Sequence, residues 1–302
     1  MQKTVIVIAG PTASGKTAMA IRMAKLFNTS VISADSRQCY KEISIGTAKP
    51  SHEELAAVPH YFIDSHSIRE EVNAGLYEKL ALQYAADIFK EKDVAILCGG
   101  TGLYIKAFAE GIDDMPEIPA ATRNAIMEQF AEKGLPWLQE ELSKRDPVFY
   151  ASAETQNPAR LMRALEVLEA TGKSIAEFRT AVKRQRDFRI IKTAITLPKE
   201  LLHANINKRV DLMAQAGLLQ EVQSVLPYRN HNALRTVGYT EIFNYLDGNG
   251  TLEQALEDIK VHTRQYAKRQ LTWFRKDKEY QWFDAREGEE MEKWITSQLL
   301  NT

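Results

Sequence analysis

Gly10-Pro11-Thr12-Ala13-Ser14-Gly15-Lys16-Thr17 fits the pattern G-x-x-x-x-G-K-[ST] and lies between a β-branched run and a helical pattern, the context that gives such a match meaning. The chemistry is anion binding. Gly10 and Gly15 let the backbone turn successive N–H groups inward, and the following helix adds its positive end. Lys16 is a mobile point charge for phosphate oxygens, and the Thr17 hydroxyl can ligate Mg²⁺. A phosphate or diphosphate ligand follows, and an ATP-binding ATPase or small-molecule kinase is the default user of such a loop. Nucleotide-hydrolysing enzymes with this loop also place a Mg²⁺-holding acid at the end of a core strand. Here the apolar run Val94–Cys98 passes into Gly99-Gly100-Thr101-Gly102 with no carboxylate. The candidate acid is Asp35, after the second run: a general base beside a diphosphate, a Mg²⁺ partner or a helix cap. Thr101 offers its hydroxyl to the same crevice or to a turn.

These residues need a sheet to bring them together. Thr4–Ala9, Ser30–Ala34, Val94–Cys98 and Phe188–Leu197 read as strands, with a shorter candidate at Tyr61–Ile63. Continuous apolar runs separated by helices indicate a parallel sheet covered on both faces, hence an α/β fold with a P-loop NTPase-like core. The carboxyl ends of such strands border the ligand crevice, so the loop, Asp35 and Thr101 are expected to converge. The rhythm changes at Asp113–Ala120. The stretch to about residue 185 is helical, with Asn157-Pro158 as N-cap and first-turn proline and Gly172 as a stop. The expected organisation is a core of residues 1–112 and 186–302 interrupted by an all-α insertion at 113–185. Helices follow with stops at Gly217 and Gly248, the last long one running from about Leu252 to Arg275.

The chain has 302 residues, 39 Lys+Arg against 40 Asp+Glu, a net charge of −1 and 44% apolar residues, proportions that argue against disorder. No apolar run approaches the roughly 20 residues that span a bilayer, and residues 4–9 lack a signal-peptide cleavage pattern. Cys39 and Cys98 make neither a disulfide framework nor a zinc site. The expectation is a cytoplasmic monomer that meets no membrane. The near-zero net charge hides a division. Residues 160–192 carry nine basic residues against four acids, and residues 260–278 carry seven against Asp277 alone. Such blocks bind phosphate backbones, or simply solvate a helix face. Arg264, Lys268 and Arg275 share one face of the last long helix by their spacing, with Tyr266, Trp273 and Phe274 interleaved as base-stacking groups or core.

With GPTASGKT at 10–17, ADSRQCY at 34–40, IGTAKP at 45–50, VPHYFID at 58–64, GGTGLY at 99–104, NPARLMRALEV at 157–167, RTVGYTE at 235–241 and AKRQLTWFR at 267–275, the chain resembles the tRNA dimethylallyltransferase family over nearly its whole length. The resemblance implies transfer of a dimethylallyl group from dimethylallyl diphosphate to N6 of the adenosine beside the anticodon, at tRNA position 37, in tRNAs reading codons that begin with U. The products are N6-(dimethylallyl)adenosine and diphosphate. Mg²⁺ is the implied cofactor and the tRNA anticodon stem-loop the implied partner.

The same resemblance implies roles residue by residue. Asp35 accepts the N6 proton, and Thr101 stabilises the leaving oxygen. Gly10 and Thr12, Ala13, Ser14, Gly15, Lys16 and Thr17 cradle the diphosphate, with Lys16 and a Thr17-held Mg²⁺ neutralising charge as the C–O bond breaks. Arg209 is directed at the diphosphate. Asp35, Ser36, Arg37, Gln38 and Thr101 also match tRNA-contacting positions. So do Arg123, then Ala159, Arg160, Leu161, Met162 and Arg163 in the insertion. Arg235, Gly238 and Tyr239 follow, and finally Lys268, Arg269, Gln270, Trp273 and Arg275. One departure stands out: many members carry an arginine where this chain has Asn205, which leaves Arg209 more of the charge, or calls on Arg179 or Arg184 as substitutes. A kinase has no use for two basic blocks a hundred residues apart, and a motor NTPase needs the missing strand-end acid.

Overall fold

The computed structural model describes residues 2–180 and 182–300. Its centre is a six-stranded sheet: β1 (Thr4–Ala9), β2 (Val31–Ser33), β3 (His60–Tyr61), β4 (Val94–Gly99), β5 (Arg189–Thr196) and β6 (Gln281–Asp284), in the order β3-β2-β4-β1-β5-β6 with every neighbouring pair parallel. All six residues of β1 and of β4 are buried, as strands covered on both faces require. Alternate residues serve the two faces. Ile6, Ile8, Ile96 and Ile191 pack in one cluster with Met19, Ala20 and Met23 of α1 (Lys16–Leu26) and with Met291 and Ile295 near the C-terminus. On the other side Tyr77 of α3 (Ala74–Phe89; the shorter α2 is His52–Ala57) donates from its hydroxyl to Ser33 O at 3.1 Å and stacks on Tyr104 of α4 (Gly102–Glu110) at 4.2 Å.

Register levels the strand ends. Ala9 lies opposite both Gly99 and Ala194, and Ser33 opposite Cys98. The segments leaving β1, β2 and β4 therefore start at one height on the carboxyl edge of the sheet. Strand boundaries differ from the sequence reading by a residue or two. The larger difference is β6, whose four residues carry only Trp282 and Phe283 as apolar signal.

The chain folds as two units, one made of Met1–Gly111 with Gln185–Thr302 and the other of Ile112–Arg184. The second unit is helical: α5 (Ala120–Arg145, broken at Gly134), α6 (Pro147–Ser152), α7 (Pro158–Thr171) and α8 (Ile175–Phe178), around a core that includes Leu138, Leu142, Leu161 and Leu165. The Asn157 side chain accepts from Arg160 N–H, Pro158 opens α7, and Gly172 ends it at φ 69°. In the first unit α9 (Lys199–Gln215), α10 (Leu218–Ser224) and α11 (Thr240–Leu246) precede the 25-residue α12 (Leu252–Lys276), and α13 (Gly288–Leu300) closes the chain. Among the described residues no helix is long and apolar enough to cross a membrane.

Candidate active site

The segment after β1 turns within six residues and re-enters as α1. Gly10 sits at φ 147°, where a Cβ would meet Ile195 O at 2.5 Å, so no side chain fits. Ala13 and Gly15 also take positive φ, which curls the loop. Ser14 Oγ donates to Pro11 O at 2.9 Å and ties the curl across its base. Lys16 Nζ donates to the same carbonyl at 2.5 Å. Burial pushes the Lys16 amine down to about 8, with Arg209 adding repulsion and Asp35 pulling the other way. Arg209 on α9 donates from Nη1 to Thr12 Oγ1 at 3.2 Å, and burial lowers its pKa as well. Asn205, one turn earlier, donates from Nδ2 to Ala13 O at 3.2 Å. The residue that replaces a common family arginine thus braces the loop. Arg179 and Arg184, the possible substitutes, are engaged within their own unit by the Phe149 ring and by Asp114.

β2 delivers Asp35. Its Oδ1 accepts from Arg37 N–H at 2.8 Å and from Gln38 N–H at 3.3 Å, an Asx turn that fixes the carboxylate plane. Oδ2 has no protein partner among the described residues. Gly99, at the end of β4, has no room for a Cβ against the Ala34 backbone, and this close approach draws the two strand ends together. Thr101 then accepts from Ser36 N–H at 3.0 Å and hydrogen-bonds with Tyr266 of α12. Gln270, only 6% exposed, joins the two loops: its Oε1 accepts from Thr12 N–H at 2.8 Å and its Nε2 donates to Gly100 O at 2.9 Å.

Lys16, Thr17, Asp35 to Gln38, Arg209, Arg235, Gly238, Arg269 and Gln270 all line one cavity of about 1170 Å³. Where the loop borders it, the cavity brings together the Lys16 and Arg209 cations, the half-committed Asp35 carboxylate and the inward-curled loop, an arrangement that can bind a diphosphate and accept a proton beside it.

Other residues singled out in the sequence lie elsewhere or do other work. Tyr239 is fully buried and donates to Glu221 Oε1 at 2.6 Å, so its side chain presents nothing to a ligand. Leu161 is fully buried in the helical unit, and Met162 packs against the same core. Gln270 has Oε1 and Nε2 each bonded to a loop backbone group, which makes it a brace between the two loops, and it also lines the cavity. Phe274 is core and Trp273 is 41% exposed, its indole lying over Gly102. Lys268, Arg269 and Arg275 are exposed along α12. In the helical unit Ala159 and Arg160 are exposed, Arg160 paired with Glu154 at 2.7 Å. Arg163 is half-buried and paired with Glu166, and Arg123 is half-buried on α5.

Sequence reasoning missed Glu221. Its carboxylate accepts from the backbone N–H groups of Ser44, Ile45 and Gly46 at 2.7, 2.8 and 2.9 Å, besides the Tyr239 hydroxyl. It thereby holds the loop that Gln38 meets through Thr47 O and Ala48 O. A lone glutamate on a polar helix carries no signal of this. Glu221→Ala is expected to cost roughly 1–3 kcal/mol in urea unfolding, and Glu221→Gln less, since one acceptor oxygen remains.

A model of the family described as IPP transferase matches residues 38–277. The chain is 48% identical to a tRNA dimethylallyltransferase of Cytophaga hutchinsonii, covering 99% of this chain and 98% of that protein, and 43% identical to tRNA dimethylallyltransferase 1 of Bacteroides thetaiotaomicron, covering 98% and 96%. Among solved structures it resembles the full-length tRNA isopentenylpyrophosphate transferase of Bacillus halodurans (TM-score 0.73, 33% identity, 99% and 98% covered). It also resembles a eukaryotic dimethylallyltransferase acting on tRNA (TM-score 0.76, 28% identity, 94% and 74% covered).

Proposed function

The chain belongs to the IPP transferase family and is a prenyltransferase enzyme, and from that premise we propose that it moves a dimethylallyl group from dimethylallyl diphosphate to N6 of the adenosine at position 37 of tRNAs reading codons that begin with U. The observation that carries the mechanism is Asp35, with one oxygen locked by its own turn and the other open, in the same cavity as Lys16 and Arg209. The N6 nitrogen attacks C1 of the dimethylallyl group. The C1–O bond breaks with its electron pair going to the diphosphate, and the N6 proton passes to Asp35 Oδ2. Lys16, Arg209, the loop N–H groups and the Thr101 hydroxyl stabilise the departing charge.

The Thr17 hydroxyl and the oxygens of a bound diphosphate suit Mg²⁺, a hard ion that prefers oxygen and keeps several waters. Among the described residues no cluster of three or more His, Cys, Asp or Glu offers a protein cage instead. When bound there, the ion would supply charge neutralisation at the diphosphate.

Extrusion of the base costs a few kcal/mol and is cheapest in a flexible anticodon loop. Arg235 and Arg269 at the cavity, and Lys268, Trp273 and Arg275 along α12, form the proposed grip on the RNA. On the helical unit, taken by itself, Arg123, Arg160 and Arg163 are further proposed RNA contacts. The protein acts as a cytoplasmic monomer in this reading.

Protein incubated with dimethylallyl diphosphate, Mg²⁺ and unmodified tRNA should yield an adenosine heavier by one C₅H₈ unit in nucleoside mass spectrometry. A phosphorylated small metabolite formed from ATP instead would favour a kinase. Because burial pushes the Lys16 amine down to about 8, inorganic pyrophosphate affinity should hold its plateau below that pH. It should weaken by up to tenfold per unit above it as the cation is lost. Titration calorimetry across pH 7 to 9.5, on the order of the range that brackets such an amine, checks this, and Lys16→Met should abolish the break.

A further inference from the structure

Asp35 is aimed by its own turn, and the turn is held from outside. Gln38, whose N–H reaches Asp35 Oδ1, is fixed on two further sides. Its Nε2 donates to Thr47 O at 3.2 Å and to Ala48 O at 3.0 Å, and its carbonyl accepts from Asp64 N–H at 3.2 Å. The place of Gln38 therefore follows the place of residues 44–48.

Those residues fold around a negative charge. The N–H groups of Ser44, Ile45 and Gly46 converge on the Glu221 carboxylate. Such a nest of backbone donors binds anions, and here the anion is a side chain of α10. Hydrogen bonds to a charged acceptor are roughly twice as strong as neutral ones. The Tyr239 ring lies against Gly46, where a Cβ would meet it at 2.6 Å, and its hydroxyl donates to Glu221 Oε1. Lys49 Nζ also braces the loop, donating to Tyr40 O at 2.5 Å and to Ser44 Oγ at 3.1 Å, so loss of Glu221 loosens the loop without melting it. Glu221 itself is outside the cavity, whose wall in this stretch includes Gln38 and residues 46–49.

Resting on the reaction above with Asp35 as its base, we propose that Glu221 is a positioning residue for proton removal. It fixes residues 44–48, these fix Gln38, and Gln38 fixes the plane of the Asp35 carboxylate and so the direction of the open Oδ2.

The test is a double-mutant cycle on single-turnover transfer with saturating RNA. Glu221→Ala should lower the rate about 10-fold, less than the roughly 10²-fold that a displacement of ~1 Å costs. Glu221→Gln keeps one acceptor oxygen and should fall between the two chains, and pyrophosphate affinity should be unaltered in both. In the Asp35→Asn background Glu221→Ala should cost less than about twofold, because no base remains to be aimed. Gln38→Met cuts the link between loop and turn, and Glu221→Ala added to it should likewise cost less than about twofold. Amide hydrogen exchange at Arg37 and Gln38 should quicken in Glu221→Ala, which reads the mechanical link without any reaction. Thermal melting verifies folding, and where Glu221→Ala does not fold, Glu221→Gln carries the same cycle. An unchanged rate, an equal fall in all three backgrounds, or unaltered exchange at Arg37 and Gln38 overturns the positioning role. A parent chain inert on tRNA overturns the transferase reading, and Asp35→Asn as fast as the parent overturns the base; either takes the positioning role with it, even where exchange shows the link intact.

Discussion

Asp35→Asn should lower the rate of prenyl transfer by about 10²- to 10⁴-fold, the usual worth of a positioned general base. The substitution is chosen for what it preserves. An asparagine oxygen can still accept from Arg37 and Gln38 N–H, so the Asx turn and the approach of the Ser36 N–H to Thr101 survive. What is lost is the open oxygen and its negative charge. An exocyclic amine conjugated to a purine is a poor nucleophile until its proton has somewhere to go. Single-turnover rates with saturating RNA isolate the chemical step. RNA affinity should stay within a few-fold and the melting temperature close to that of the parent. Transfer within threefold of the parent rate would remove Asp35 as the base and leave it a turn-former.

Lys16→Met should lower kcat/KM for dimethylallyl diphosphate by about 10²- to 10³-fold, the cost of removing one preorganised charge from a developing anion. Methionine keeps the length and apolar stem of lysine and drops only the ammonium. The curl of the loop depends on Gly10, on positive φ at Ala13 and Gly15, and on the Ser14–Pro11 bond, none of which needs the amine. The loss should therefore appear in diphosphate affinity and in the bond-breaking step, with RNA binding retained. Arg209, anchored on Thr12, remains to give residual activity. If Lys16→Met bound pyrophosphate as tightly as the parent, the loop's main cation would have to be Arg209.

The sheet and the curled loop after β1 were legible because both write short-range signals. Thr4–Ala9 and Val94–Cys98 are unbroken apolar runs, and the loop's glycines and lysine fall at set spacing. Asp35 and Thr101 could be placed because each follows such a run directly, and parallel strands put those ends on one edge. β6 escaped notice because Gln281–Asp284 pairs with β5 on one side only, and half its residues are polar. The tasks of Gln270, Glu221 and Asn205 could not be read. Each is a polar residue on a helix, and its partners, mostly backbone groups, are brought near by tertiary packing. The Thr12 N–H taken by Gln270 lies 258 residues away in sequence. Tyr239 and Leu161 show the converse limit. A motif position can matter to a family by shaping a contact surface from beneath.

The strand order has a consequence for how the chain assembles. β1 lies between β4 and β5, with Thr4 opposite both Val94 and Arg189. On a ribosome the first edge of β1 finds its partner once about a third of the chain has emerged, because domains form as their segments become available. The second edge must wait through the whole helical unit, whose own core needs nothing from the sheet. A nascent chain paused between residues 112 and 184 therefore exposes one open edge of its innermost strand, the state that invites wrong pairing. Protection of the β1 amides from hydrogen exchange should then appear in two stages, and chains truncated before β5 should be the ones that aggregate.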